Sequence, residues 1–396
     1  MSLGLDVPAL LRQAQAQRPD HLTALLAHHA RSIGAHEVTL LLLDYSQAQL
    51  MPPADSSLSP ASVDGTTAGS CFVTQRVLTE SEPSGLRVWV PVTERSQRLG
   101  VLAVHLASDT VDDDAMRSLQ HLGDLAALLL STASAYCDSY QGQRRSHSLE
   151  LPAEMQWALL PPLSFCCPGL EVTGMLEPAY DIGGDCLDYS LDGDTLSVAM
   201  FDAMGHGLSS AVLAHLAIGA YRHGRRSGDD LLALRSRVDA VIAEQFEDTF
   251  VTALLAQLDV ASGELVWHSA GHPYPLVLRD GMVLDGPPER FALPLGLRVD
   301  GSDPVAEAST MTLEAGDQVL MYTDGVVEGR NAEGFHFGLP QLTELFLKHA
   351  ASGYPRNEVL RRLVAEVHAW QGGELRDDAA LLLIKWWGTP GADVAG

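Results

Sequence analysis

Thr195–Tyr221, TLSVAMFDAMGHGLSSAVLAHLAIGAY, decides how the chain is read, because it sets one acidic side chain where a buried strand ends. Leu196 to Phe201 is apolar and strand-like, Gly205-His206-Gly207 breaks the run, and helical spacing begins at Leu208. Asp202 therefore stands at a strand-to-loop junction, the kind of place where a rigid scaffold presents chemistry. Two other segments have the same build. Gln318 to Tyr322 runs apolar into Thr323-Asp324-Gly325, and the apolar run Ala379 to Trp387 is entered directly from Asp377-Asp378. A fourth acid, Asp185, follows the tight Gly183-Gly184 pair.

If these strands lie side by side, four carboxylates meet at one sheet end. Each close like-charge pair then costs about 4 kcal/mol at ~4 Å and an effective dielectric near ~20, so positive charge must sit among them. No Lys or Arg lies within five positions of Asp185 or Asp202, and neither Cys-x-x-Cys nor His-Glu-x-x-His occurs. An all-oxygen site suits hard Mg²⁺ or Mn²⁺ better than zinc. Two divalent cations would balance four carboxylates.

The ordered set Gln156 to Pro162 (QWALLPP), Asp181 to Asp188 (DIGGDCLD), Asp202 to Gly207 (DAMGHG), Phe250 to Ala253 (FVTA), Ala270 to Pro273 (AGHP), Pro294 to Gly296 (PLG), Tyr322 to Glu328 (YTDGVVE) and Asp377-Asp378 resembles the PPM-type metal-dependent serine/threonine protein phosphatases, in the bacterial subgroup typified by SpoIIE and RsbU. Each motif alone is weak, and their order gives the resemblance its strength. It covers about Glu150 to Trp387. The resemblance implies an α+β fold, an αββα sandwich of two mainly antiparallel sheets. It makes Asp202 the carboxylate that bridges two metals, Mn²⁺ or Mg²⁺, and gives Ala203 a ligand role through its backbone carbonyl. Asp324 and Asp377 would complete one metal and Asp185 would serve the other, with Asp378 the weaker candidate of its pair. The implied activity is hydrolysis of phosphoserine or phosphothreonine without a phosphoenzyme, on a phosphorylated STAS-domain anti-anti-sigma factor.

Two positions depart from the family pattern. Ala203 stands where Gly is frequent, and Met204 stands where the eukaryotic branch has a His discussed as general acid, so no general acid is assigned. His206 reads as a loop residue and His272 as a packed, hydrogen-bonded one.

The chain has 396 residues, 46% hydrophobic content and a net charge of −26, which suits folded globular material of two or three domains. That acidity disfavours nucleic acid and anionic membrane as partners. Five cysteines, Cys71, Cys137, Cys166, Cys167 and Cys186, are irregularly spaced and read as reduced thiols. The N-terminal segment lacks a basic region before its apolar residues, and no apolar stretch reaches membrane-spanning length, so a cytoplasmic location is expected.

Residues 1–138 read as a smaller α/β sensor domain. Helical patterns occupy Val7 to Gln17 and His21 to Ile33, a strand Val38 to Asp44, and a hairpin Leu86 to Val92 and Leu99 to Leu106 around the turn Thr93 to Arg98. Asp64-Gly65-Thr66, Ala68-Gly69, VWVPV at Val88 to Val92 and LGVLAV at Leu99 to Val104 resemble a GAF domain. Cys71 and His105 invite a ligand reading but suit packing better. The amphipathic stretch Asp114 to Tyr136 is read as a core-facing helix or as a parallel dimer seam, which leaves a homodimer through the N-terminal domain and linker open.

Residues 139–162 read as a helical linker or switch segment and 163–390 as the phosphatase domain. Within the former, Glu150 to Pro162 is expected to form a short helix stopped by Pro161-Pro162. The resemblance implies that its docking sets the Asp202 and Asp324 loops, and the alternative is a passive spacer. Asp192-Gly193-Asp194 lies between two strand-like runs and reads as a hairpin turn rather than a dehalogenase-type nucleophile. No GxxxxGK[ST] loop occurs. The competing functions are a catalytically silent binding module, which loss of a metal Asp would favour, and a nucleotide phosphodiesterase, which the acidic composition opposes.

Overall fold

The computed structural model describes residues 5–181, 183–246, 248–284, 286, 292–298, 306–373, 375 and 377–388. The chain divides into two compact units, Met1–Ser148 and Leu149–Gly396, so the boundary falls inside the 139–162 stretch.

The first unit is built on an antiparallel sheet of six strands in the order Ala61–Ser62, Gln49–Met51, Ala35–Leu43, Gln97–Leu106, Gly85–Glu94, Leu78–Glu82. Alternating side chains separate two cores. Leu40, Leu42, Val88, Val90, Leu102 and Val104 face a core shared with the helices Leu22–Ala30 and Asp113–Ala133. Leu41, Leu43, Trp89, Val101 and Ala103 face the other, with Phe72 and Cys71 from the helix Thr67–Thr74. The central hairpin is tighter than its sequence suggests: its strands run on to Glu94 and from Gln97, and Arg95 takes φ 54° in the two-residue turn. Cys71 is wholly buried, and burial pushes its thiol up to about 12, which makes it inert packing. His105 sits beside the Ser84 hydroxyl at 2.9 Å. The segment after the long helix is docked rather than free. Gln143 Nε2 donates to the carbonyls of Leu40 and Met51, both at 2.8 Å, and the Arg144 guanidinium lies over the Tyr45 ring.

The second unit is an αββα sandwich. One sheet has five strands in the order Ser309–Thr312, Glu264–Ala270, Val251–Asp259, Thr195–Ala203, Asp185–Asp192, and the other has six in the order Met282–Val283, Leu276–Arg279, Gln318–Tyr322, Ala379–Trp386, Leu170–Glu177, Ser164–Cys167. All the pairings within these strands are antiparallel. The period of two assigns each side chain to a layer. Val198 and Met200 pack between the sheets with Leu254, Leu187, Met321 and Leu382. Ala199, Phe201 and Ala203 turn the other way, onto the helices Leu208–Arg226 and Leu231–Gln245. Leu320, Leu381 and Leu383 pack on the opposite outer layer, the helices Gly338–Ala350 and Arg356–Trp370. Gly193, at φ 59°, makes the expected hairpin turn between Asp185–Asp192 and Thr195–Ala203. The helix expected near Glu150 is Leu151–Leu159. Among the described residues no helix is long and apolar enough to cross a membrane.

Candidate active site

The strand parity that sends Val198 and Met200 between the sheets carries Asp202 to the same face at the strand's end. Its antiparallel partners on either side are Asp185 and Thr252, so all three share that face. Across the gap, Thr323 continues the parity of Val319 and Met321, and Asp378 that of Ala380 and Leu382. Two sheet ends thus present acids and hydroxyls to each other, with Asp324 and Asp377 one residue to either side.

Several contacts fix this mouth. The Thr323 hydroxyl, wholly buried, donates to Asp185 Oδ2 at 2.5 Å, while Thr323 Oγ1 accepts from the amide of Ala380 at 2.9 Å. Asp378 Oδ2 accepts from the amides of Gly183, Gly184 and Asp185 at 2.7, 2.6 and 3.3 Å. Asp378 is therefore the acceptor that shapes the turn before Asp185. Gly184 has no alternative here, because a Cβ would strike the Ala203 carbonyl. Ala203 is buried at the strand's end, and its amide donates to the Gly184 carbonyl at 3.2 Å.

Burial is the main force on the acids' protonation. It pushes Asp202 up to about 7, with Asp324, Asp377 and Asp378 adding repulsion. Asp185, 2% exposed, is pushed well above the usual carboxylate range by burial and then by Asp202 and Asp378, against the opposing Thr323 bond. Asp324 and Asp378 are raised by burial as well. Among the described residues no three His, Cys, Asp or Glu side chains close on a point tightly enough to enclose an ion. The acids face one another from two sheet ends, and a set of carboxylates suits a hard divalent cation better than a soft one.

All four acids singled out in the sequence come to this mouth. Thr323, Thr252 and His272 were not singled out as part of it. His272 is packed and hydrogen-bonded, with Nδ1 2.7 Å from the Thr252 hydroxyl, and burial lowers its imidazole to about 3. Thr323 had a signal available, since a residue one before an acid at a strand end keeps inter-sheet parity.

Residues 192–387 match the family model described as Stage II sporulation protein E (SpoIIE). The phosphoserine phosphatase RsbU of Bacillus subtilis is 23% identical over 246 residues, 61% of this chain and 71% of RsbU. The phosphoserine phosphatase RsbP of the same organism is 21% identical over 40% of each chain. Among solved structures, the RsbU and RsbW domains of a Mycobacterium tuberculosis protein align at 25% identity and a TM-score of 0.48, over 56% of this chain and 63% of that one. The SiaA PP2C domain of Pseudomonas aeruginosa aligns at 22% and 0.48, over 59% and 93%. Residues 192–387, just under half of the chain, are thus similar to the SpoIIE family.

Proposed function

We propose that the protein is a metal-dependent phosphoserine/phosphothreonine protein phosphatase whose Asp185, Asp202, Asp324 and Asp377, with the Ala203 carbonyl, hold two divalent cations, Mn²⁺ or Mg²⁺. The observation that carries this reading is the convergence of acids from two facing sheets, with Asp202 pushed up to about 7 by burial and by its neighbours. Such an arrangement is costly unless cations join it. When bound, divalent cations acidify water and neutralise charge on phosphoryl oxygens. The chain's part is to aim the donors. Thr323 fixes one oxygen of Asp185, and Asp378 shapes the turn that delivers it. The rigid pairing of Thr195–Ala203 between two strands holds Asp202 and Ala203.

The substrate in this reading is a phosphorylated STAS-domain anti-anti-sigma factor, acted on in the cytoplasm, with the GAF-like unit as the controlling sensor. Relatives named as phosphoserine phosphatases support the reaction class. The test is phosphate release from a phosphoserine STAS-domain protein with Mn²⁺, with Mg²⁺ and with chelator, beside a cyclic dinucleotide. Metal-stimulated release from the phosphoprotein alone is expected. Release from the dinucleotide alone would overturn the proposal, and release from neither would favour a silent binding module.

A further inference from the structure

The strand that flanks Asp202 and Ala203 is closed at its start by a segment from elsewhere in the chain. Glu264–Ala270 pairs with Val251–Asp259 only from Leu254 to Leu258, so it stops short of the acids' end. Leu295 takes the place it leaves. Its amide donates to the Val251 carbonyl at 2.8 Å, and its carbonyl accepts from the Val251 amide at 2.9 Å, the double exchange of an antiparallel pair. On the other flank Val251 is the register partner of Ala203, and Thr252 that of Asp202. Val251 is wholly buried, so without Leu295 both its backbone groups would be unpaired away from water.

One side chain holds this segment in place. Asp239, on the helix Leu231–Gln245 and 5% exposed, accepts from the Gly296 amide through Oδ1 at 2.8 Å. The Arg298 guanidinium donates to Oδ1 at 2.8 Å and to Oδ2 at 2.9 Å, a two-pronged pairing that fixes the carboxylate's orientation. Arg235 adds positive charge from the same helix, with Nη1 3.7 Å from Oδ2. The turn has no slack. Gly296 takes φ 87°, and a Cβ there would strike the Ile242 side chain of that helix. Pro294 is seated as closely, since a Cβ on Gly271 would meet its ring.

We propose that Asp239 is a positioning residue for the acid mouth. By holding the Gly296 amide it keeps Leu295 paired with Val251, and Val251 in turn keeps the strand end that presents Asp202 and the Ala203 carbonyl. The proposal rests on the reading of these groups as a divalent-cation site. The effect is one of spacing, because Arg298 and Arg235 already balance the charge of Asp239. Ligands that converge on small cations tolerate little error in position. A frayed strand end therefore weakens cation binding before it slows turnover at saturating cation.

The experiment compares the full chain as wild type, Asp239→Ala, Asp239→Asn and Asp239→Glu, with Asp44→Ala as a control destabilised in the other unit. Amide hydrogen exchange in chelator is read first. Asp239→Ala should speed exchange at Val251, Leu295 and Gly296, and also at Ala203 and Met204, whose amides donate to the carbonyls of Gly184 and Phe250. Asp239→Asn keeps an oxygen for Gly296 without the charge and should restore protection. Asp239→Glu keeps the charge but displaces the oxygen, so it should restore less, and it carries the comparison if Asp239→Ala does not fold. In calorimetric titration with Mn²⁺ alone, Asp239→Ala should bind about tenfold more weakly than wild type. Asp239→Asn should stay within about threefold, and Asp44→Ala should bind as wild type does despite its lower melting temperature. Wild-type exchange at Ala203 and Met204 in Asp239→Ala, or a loss of affinity that Asp44→Ala matches, would overturn the proposal and leave Asp239 a staple between helix and loop. Better rescue by Asp239→Glu than by Asp239→Asn would overturn it too, tracing the effect to charge. If wild type binds no Mn²⁺, the metal reading falls, and the metal-free exchange at Ala203 and Met204 still decides whether Asp239 holds the strand end.

Discussion

Each unit sets an acid at the end of a sheet strand, Asp44 buried and Asp202 half-buried, and the two acids are treated in opposite ways. Asp44, 1% exposed, follows the strand Ala35–Leu43 and is surrounded by donors: the amides of Ala48 and Gln49 bond Oδ1 at 2.9 Å each, and the hydroxyls of Ser46 and Ser146 bond Oδ2 at 2.5 and 3.2 Å. Asp202 has no donor among the described residues and faces other carboxylates. Charge that is fully hydrogen-bonded organises a loop and has nothing left to offer a ligand. Charge left unsatisfied stores a cost that only an incoming cation or proton relieves.

Substitution should separate the two roles most sharply. Asp202→Asn should reduce metal-stimulated dephosphorylation below one-tenth of wild type while raising, or at least not lowering, the metal-free melting temperature. Activity above one-tenth would remove Asp202 from the site. Asp44→Ala should do the reverse, leaving buried donors without an acceptor at a cost of about 3 kcal/mol while turnover per folded molecule stays near wild type.

Ligand linkage comes next in size. If Mn²⁺ binds only the folded state, Mn²⁺ at ~100 times its dissociation constant stabilises the chain by about 2.7 kcal/mol. The Asp202→Asn variant should lose most of that gain and Asp44→Ala none of it. A wild-type melt unmoved by Mn²⁺ would count against any metal site.

The pH dependence of the metal-free protein has a definite sign. Asp202 is raised from 3.8 to about 7, so the stability it contributes is fully present below about 4 and is lost as pH rises through about 7. Asp185, Asp324 and Asp378 shift in the same direction. Melting in chelator should therefore worsen between pH 5 and pH 8, roughly the span of these titrations, and less so in Asp202→Asn. Identical slopes in the two proteins would show that Asp202 does not titrate as its surroundings require.

The acids were legible in the sequence because each stands where an apolar run meets a turn, a one-dimensional signal. The two-layer core was legible for the same reason, since the parity of Leu196 to Phe201 already separates two faces. The partners were not. Thr323 reaches Asp185, 138 positions away, and Asp378 reaches Gly184, 194 positions away. No periodicity encodes which strand of one sheet faces which of the other. Arg144 and Gln143 were hidden for a related reason: polar residues near a domain boundary look solvated until the carbonyls they bind are seen.

The smallest expected effect concerns the helix Leu151–Leu159, the element nearest the unit boundary that still belongs to the catalytic side. Two of its hydrogen bonds reach the surroundings of the strand Asp185–Asp192, one to the segment before it and one to the helix Leu208–Arg226. Trp157 Nε1 donates to the Ala179 carbonyl at 2.7 Å, just before the turn that Asp378 shapes. At the helix's end the Leu159 carbonyl accepts from Arg222 at 2.8 Å, and Arg222 also pairs with Asp188, three residues beyond Asp185 and 1% exposed. Between them Gln156 is wholly buried, with neither amide atom partnered among the described residues, a cost that makes this seat less than fully stable. An element seated over an unsatisfied buried amide is suited to more than one position. Trp157→Ala removes one tie and about 1 kcal/mol of hydrogen bonding besides packing, so it should alter Mn²⁺ affinity or turnover by about two- to fivefold with all four acids intact. The comparison to make is metal-dependent turnover and Mn²⁺ titration of wild type and Trp157→Ala at equal folded fraction. Equal values in both would mean that the helix tethers the catalytic unit without setting the Asp185 turn.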